Sequence, residues 1–114
     1  MPERNSNSKS SRRSRQAPID TTFGHLQPQA TDIEKVVLGA LMIDKDAFTV
    51  VSELIRPETF YEARHQKIYE AVQSLNLQEK PVDIMTVVEE LRRKGTLEEI
   101  GGPAYIVELG SNVA

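Results

Sequence analysis

The chain has 114 residues, no cysteine, and fourteen Lys/Arg against seventeen Asp/Glu, a formal net charge of −3. The missing cysteines exclude a disulfide frame and a thiolate zinc site, and no apolar run approaches the roughly 20 residues a membrane-spanning helix needs. The charge is unevenly divided: residues 1–16 carry five cations and one acid, whereas the remainder carries nine Lys/Arg and sixteen Asp/Glu, a net of −7, which makes a poor phosphate binder.

Residues 1–16 hold five serines, the cations Arg4, Lys9, Arg12, Arg13 and Arg15, and almost nothing apolar. Such a composition cannot bury enough surface to offset ordering entropy, so a disordered tail is expected here. Pro18, Gly24 and Pro28 continue it as a linker. No apolar segment follows the basic stretch, so it does not read as a secretory signal, and the expected location is the cytoplasm. Leu, Ile and Val concentrate from about residue 31 to 112, enough for one small domain with one core.

The first ordered element is predicted to open at Thr31, where Thr31 and Glu34 have the spacing of a capping box. Ile33, Val36, Val37, Ala40 and Leu41 follow at helical spacing. The run Val36–Ile43 has no polar side chain and taken alone also fits a buried strand; the cap favours a helix. Asp44-Lys45-Asp46 interrupts the pattern, and Ala47, Val50, Val51 and Leu54 resume it as far as Arg56-Pro57, where proline pushes its predecessor out of the α region. Pro57-Glu58-Thr59 suits the first turn of a third helix, with Phe60 and Tyr61 packing inward. That helix is predicted to run to about Asn76, with His65, Ile68, Tyr69, Val72 and Leu75 on one stripe.

Pro81 closes the next connection, and Asp83 is a candidate N-cap for a helix bearing Ile84, Val87, Val88 and Leu91. Arg92-Arg93-Lys94 before Gly95 marks its end: cations sit at the negative pole of the helix and glycine takes the left-handed position after it. Leu97–Ile100 reads as a turn, Gly101-Gly102 as a break, and Pro103 as the first residue of a last helix carrying Ile106 and Leu109. No convincing period-two strand appears, so the expected class is all-α, a compact bundle of five to six short helices behind a disordered tail.

Catalytic and ligand motifs are missing. A phosphate loop needs Gly-Lys-Ser/Thr, and the dipeptide Gly-Lys does not occur; Gly101-Gly102 has neither the spacing nor the context of a dinucleotide loop. His25 lies in the linker, and His65 lies on an apolar stripe with no second histidine at i+4, which suits a packed histidine rather than a metal ligand or base. No catalytic, cofactor-binding or metal-binding residue is therefore assigned. Tyr61, Tyr69 and Tyr105 lack the interleaved cations of a stacking platform for single strands. Tyr105, after Gly101-Gly102-Pro103, suits either an interface anchor or a core tyrosine with a bonded hydroxyl. Asp32, placed in the first turn of the first helix, is a second partner-binding candidate, though acids there often serve only the dipole. The unusually apolar first helix offers Val36, Leu38 and Met42 for self-association.

Four ordered blocks resemble the N-terminal domain of the replicative DNA helicase family named DnaB. They are Pro28-Gln29 leading into Ile33-Glu34 and Val37-Leu38-Gly39-Ala40-Leu41-Met42; Phe60-Tyr61 with His65-Gln66-Lys67-Ile68-Tyr69; Pro81-Val82-Asp83-Ile84-Met85-Thr86-Val87 with Leu91; and Leu97-Glu98-Glu99-Ile100-Gly101-Gly102-Pro103-Ala104-Tyr105-Ile106 with Leu109. The resemblance covers about residues 27–114 and leaves 1–26 as tail and linker. It implies a non-catalytic collar domain that assembles with other subunits of a homohexamer and docks the C-terminal domain of the primase in the bacterial replisome. ATP, Mg²⁺ and DNA would belong to a motor domain, and subunit pairing to a helical hairpin, both beyond Ala114. Without that hairpin a monomer or weak dimer is expected. A generic all-α interaction module, such as the primase's own related C-terminal domain, is the alternative; the four blocks favour the helicase.

Overall fold

The computed structural model describes residues 28–111. It consists of helices α1 (Pro28–Ile43) and α2 (Ala47–Leu54), a 3-10 turn (Pro57–Thr59), and helices α3 (Ala63–Leu77), α4 (Ile84–Lys94) and α5 (Gly102–Ser111). No strand occurs among the described residues, in agreement with the all-α expectation. The predicted tail and linker lie outside the described residues, as do the last three positions.

Helix α3 is the centre. Its stripe His65, Ile68, Tyr69, Val72 and Leu75 is buried as the 3.6-residue period predicts, and it packs against α1, the 3-10 turn and α4. Leu38, Leu41 and Met42 close the core from α1, Val87 and Leu91 from α4, and Ile106 and Leu109 from α5. Each such side chain withdrawn from water stabilises the fold by about 1.5–3 kcal/mol before entropy is counted. Helix α2 buries no residue fully, and Phe48 and Val51 only lean on the cluster. It is the least anchored element.

Local chemistry explains the ends of α4. Asp83 is extended, its carboxylate accepts from the Thr86 N–H at 2.8 Å, and Thr86 Oγ1 accepts from the Asp83 N–H at 2.8 Å, a reciprocal cap. At the far end Gly95 is left-handed at φ +78°, and the Thr96 N–H reaches back to the Leu91 carbonyl at 3.0 Å. Helix α3 ends the same way without glycine: Glu79 sits at φ +60°, and the Lys80 N–H donates to the Leu75 carbonyl at 3.0 Å.

Several expectations are corrected. Helix α1 includes Pro28, a turn before the predicted start, so Thr31 is not a cap and Glu34 is free for other bonds. Asp32 accordingly lies beyond the first turn of α1, where the dipole has faded. Pro57–Thr59 is a separate 3-10 turn, because the chain extends at Phe60 before α3 begins. Phe60 packs inward at 4% exposure, but Tyr61 faces out at 64%. Gly102 rather than Pro103 opens α5. Leu38 and Met42, assigned to self-association, are core residues at 0% and 4% exposure; of that trio only Val36, at 51%, reaches the surface.

Candidate functional site

A buried polar cluster joins α1, α3 and α5 around His65. Glu34 lies on the same face of α1 as Leu38 and Leu41, which brings its carboxylate to the start of α3. One oxygen accepts from the Tyr61 N–H at 2.5 Å. The other lies 2.6 Å from His65 Nδ1 and accepts from the Glu62 N–H at 3.5 Å. Glu34 thus ties down the chain where it enters α3. His65 is fully buried, and its second nitrogen, Nε2, lies 2.6 Å from the Tyr105 hydroxyl on α5.

With a neutral imidazole both contacts are made when Nδ1–H donates to the carboxylate and the Tyr105 O–H donates to Nε2. The His65 and Tyr105 ring planes lie 12° apart with centroids at 5.9 Å. A buried donor or acceptor left unpaired costs about 1–3 kcal/mol, so this line of bonds locks the relative placement of three helices.

A charged rim covers the cluster. The Arg64 guanidinium stands 4.0 Å from the Tyr105 ring centroid, and its Nε donates to Glu62 at 2.8 Å. Lys35 approaches the same ring at 5.9 Å and pairs with Glu108 of α5 at 3.2 Å. Burial pushes the Glu62 carboxyl up, but the hydrogen bond from Arg64 and neighbouring positive charge bring it below the ordinary value overall. Burial pushes the Tyr105 hydroxyl up to about 12, against the opposing effect of Arg64.

The carboxylate–imidazole–hydroxyl order resembles a nucleophile relay, but the physics runs the other way. An activated oxygen needs a lowered pKa and access to substrate; Tyr105 is held protonated at 7% exposure. The cluster ties three helices together, and Tyr105 is buried in it with its hydroxyl bonded to His65 and Arg64 over its ring. Asp32 is exposed on the opposite side of α1, next to Ile33 and Val36 at 61% and 51% exposure.

The sequence offers Glu34 only as a capping partner of Thr31 and does not single out Arg64 or Lys35, since 31 and 40 residues separate Glu34 and Tyr105 respectively from His65 and no local pattern links them. A signal existed for Glu34: a carboxylate at i with leucines at i+4 and i+7 faces the core. Glu90, one helical turn after the core residue Val87, is a second carboxylate on a core-facing position. It is 3% exposed and bonded to Arg93 at 2.6 Å and to Ser74 Oγ at 2.7 Å. The Arg93 hydrogen bond and that from Ser74 hold its carboxyl at about 2. No group of three His, Cys, Asp or Glu is arranged to hold a metal among the described residues, and no helix there is long and apolar enough to cross a membrane.

Comparison with known proteins agrees with the helical bundle. The model of the DnaB-like helicase N-terminal domain matches residues 26–114. The chain is 45% identical over 91 residues to the replicative DNA helicase DnaB of Rhodothermus marinus, covering 80% of this chain and 10% of that protein. It is 41% identical over 94 residues to the replicative DNA helicase DnaC of Bacillus subtilis, covering 82% of this chain and 21% of that protein. The crystal structure of the N-terminal domain of DnaB helicase from Mycobacterium tuberculosis superposes with a TM-score of 0.71 at 41% identity, over 77% of this chain and 60% of that one. The chain thus spans only about a tenth to a fifth of these curated relatives. Capped bundle, four sequence blocks and matching fold together place this chain in the family of DnaB-like helicase N-terminal domains.

Proposed function

We infer that this chain serves as the N-terminal collar domain of a replicative DNA helicase, docking the primase C-terminal domain and contributing to subunit assembly, and that it performs no chemistry itself. The observation that carries this reading is the family match over residues 26–114, within relatives named as replicative helicases that extend far beyond it. The buried cluster supports it, because His65 and Tyr105 have their polar atoms engaged with each other and with Glu34 rather than turned to a substrate. ATP with Mg²⁺, and DNA, belong in this account to a motor domain.

Tyr105 contributes by position, holding α5 in place beneath Arg64. The docking face is the outward side of the first half of α1, where an acid, Asp32, stands beside the exposed aliphatics Ile33 and Val36. Interface cores favour such apolar anchors with a polar rim. Titration calorimetry against the cognate primase C-terminal domain tests both statements. Saturable binding is expected, weakened about tenfold or more, near 1.4 kcal/mol, by Asp32→Lys with Ile33→Asp. No heat at all defeats the docking reading; an unchanged titration with the double variant defeats this face.

A further inference from the structure

Helix α1 is apolar on the side turned away from the core as well as on the side turned towards it. Ile33, Val36, Ala40 and Ile43 follow at steps of three, four and three, so they share about a quarter of the helix circumference at 3.6 residues per turn. The core residues Leu38, Leu41 and Met42 centre on the other side. Ile33 is 61%, Val36 51% and Ile43 54% exposed. The outer face of a surface helix ordinarily carries charged or polar residues; between Ile33 and Ile43 this stripe has none, and Asp32 stands only at its edge.

The chain holds a matching segment within reach. Apart from Met1, the large apolar side chains of residues 1–27 are Ile19, Phe23 and Leu26. All three fall in residues 17–27, immediately ahead of α1, where Asp20 is the only acid and no Lys or Arg occurs. They recur at i, i+4 and i+7, the spacing of one helical face. Read back from α1 their steps are three and four, the same steps that separate Ile33, Val36 and Ala40 read forwards. Two segments running in opposite directions therefore offer apolar groups at matching intervals. Ile33 and Val36 lie five and eight residues past Pro28, roughly 8 and 12 Å along the axis at 1.5 Å per residue. Eleven residues span up to about 36 Å when extended, and packed helices lie only about 8–10 Å apart. The reach is ample. A tether this short holds the segment at an effective concentration on the order of millimolar, which favours it over a second copy of the chain at micromolar concentration.

We propose that residues 17–27 fold back antiparallel along α1 and lay Ile19, Phe23 and Leu26 over Ile33, Val36 and Ala40, a displaceable cover on the face assigned above to the primase. The contact itself needs only this chain; its regulatory meaning rests on the docking reading. A partner of that face binds only the uncovered fraction of the chain, so the cover lowers its apparent affinity by that fraction.

The test uses the full chain with ¹³C-labelled methyl groups. Nuclear Overhauser effects are expected between the Phe23 ring and the methyls of Ile33 and Val36, unchanged on dilution. Ile19→Asp with Phe23→Asp should at least double the broadening of those two methyls by a soluble paramagnetic probe and leave Leu38 and Leu41 unaffected. The same double variant should bind the cognate primase C-terminal domain at least threefold more tightly than the native chain. No Overhauser effect from the Phe23 ring to either methyl, or methyl exposure unchanged by the double substitution, overturns the proposal. So do effects that cross between labelled and unlabelled chains in a mixed sample, since the occupant would then be a second copy. Equal primase affinity of the two chains overturns the regulatory role. Binding by neither chain defeats the docking reading instead, and the Overhauser effects judge the contact in either case.

Discussion

Neighbouring residues on α1 have opposite roles, and burial separates them. Leu38 is fully buried against α3 and α5, so Leu38→Ala is expected to cost about 2–5 kcal/mol in urea denaturation, whereas Val36→Ala, half in water, should stay within about 0.5 kcal/mol. Tyr105→Phe removes the O–H that reaches His65 Nε2 and leaves a buried ring nitrogen unpaired, for a loss of about 1–3 kcal/mol. Because that hydroxyl points inward, primase affinity should change less than twofold; a tenfold loss in a folded variant would restore Tyr105 as a direct contact. Glu90 makes a pH statement. Its folded carboxyl is held at about 2, below its unfolded value, so its contribution is fully present above the ordinary carboxylate range and is lost as pH falls through that range toward 2. The stability gap between the native chain and Glu90→Gln should therefore be constant from pH 6 to 8 and shrink between about pH 5 and 2.5; a gap that widens on acidification contradicts the assignment.

At the scale of elements, both ends of α4 are legible in the sequence, while the starts of α1, α3 and α5 and the tertiary partners are not. Asp83 and Gly95 could be read as cap and stop because their partners lie within five residues: Thr86 for the first, Leu91 and Arg92 for the second. The His65 stripe was legible for the same reason, since periodicity is local. Thr31 with Glu34 misled because the same spacing fits both a cap and a mid-helix carboxylate, and only the position of α3 makes Glu34 the tether of Tyr61 and Glu62. Leu38 and Met42 were misplaced because α1 is apolar on most of its circumference, so its sequence does not say which side meets the core. The two left-handed helix stops offer paired tests. Gly95→Ala puts a Cβ at φ +78°, with open space around it, and should cost about 1–2 kcal/mol from backbone strain alone. Glu79→Gly relieves the same strain at φ +60° and should be stabilising by a few tenths to about 1 kcal/mol. Thermal melting of both variants checks this, and equal signs would contradict the cap geometry.

For the whole molecule, an acidic bundle with a bonded centre and an apolar outer face on α1 fits a part that joins others. A ring needs two different contact surfaces on each subunit, because one self-complementary patch closes only a dimer. Stable partners commonly bury about 1,200–2,000 Å² in total, a large demand on α1 and its neighbours alone. This chain is therefore expected to sediment as a monomer or a dimer that dissociates on dilution; a stable hexamer would mean that the bundle carries both surfaces. The central claim, a docking domain without chemistry of its own, is tested most directly by amide-shift titration of the ¹⁵N-labelled chain, first with ATP and Mg²⁺, then with the cognate primase C-terminal domain. The account predicts no specific shifts with the nucleotide and saturable shifts around Asp32, Ile33 and Val36 with the primase domain. Saturable shifts with ATP, or none with the primase domain, would contradict it.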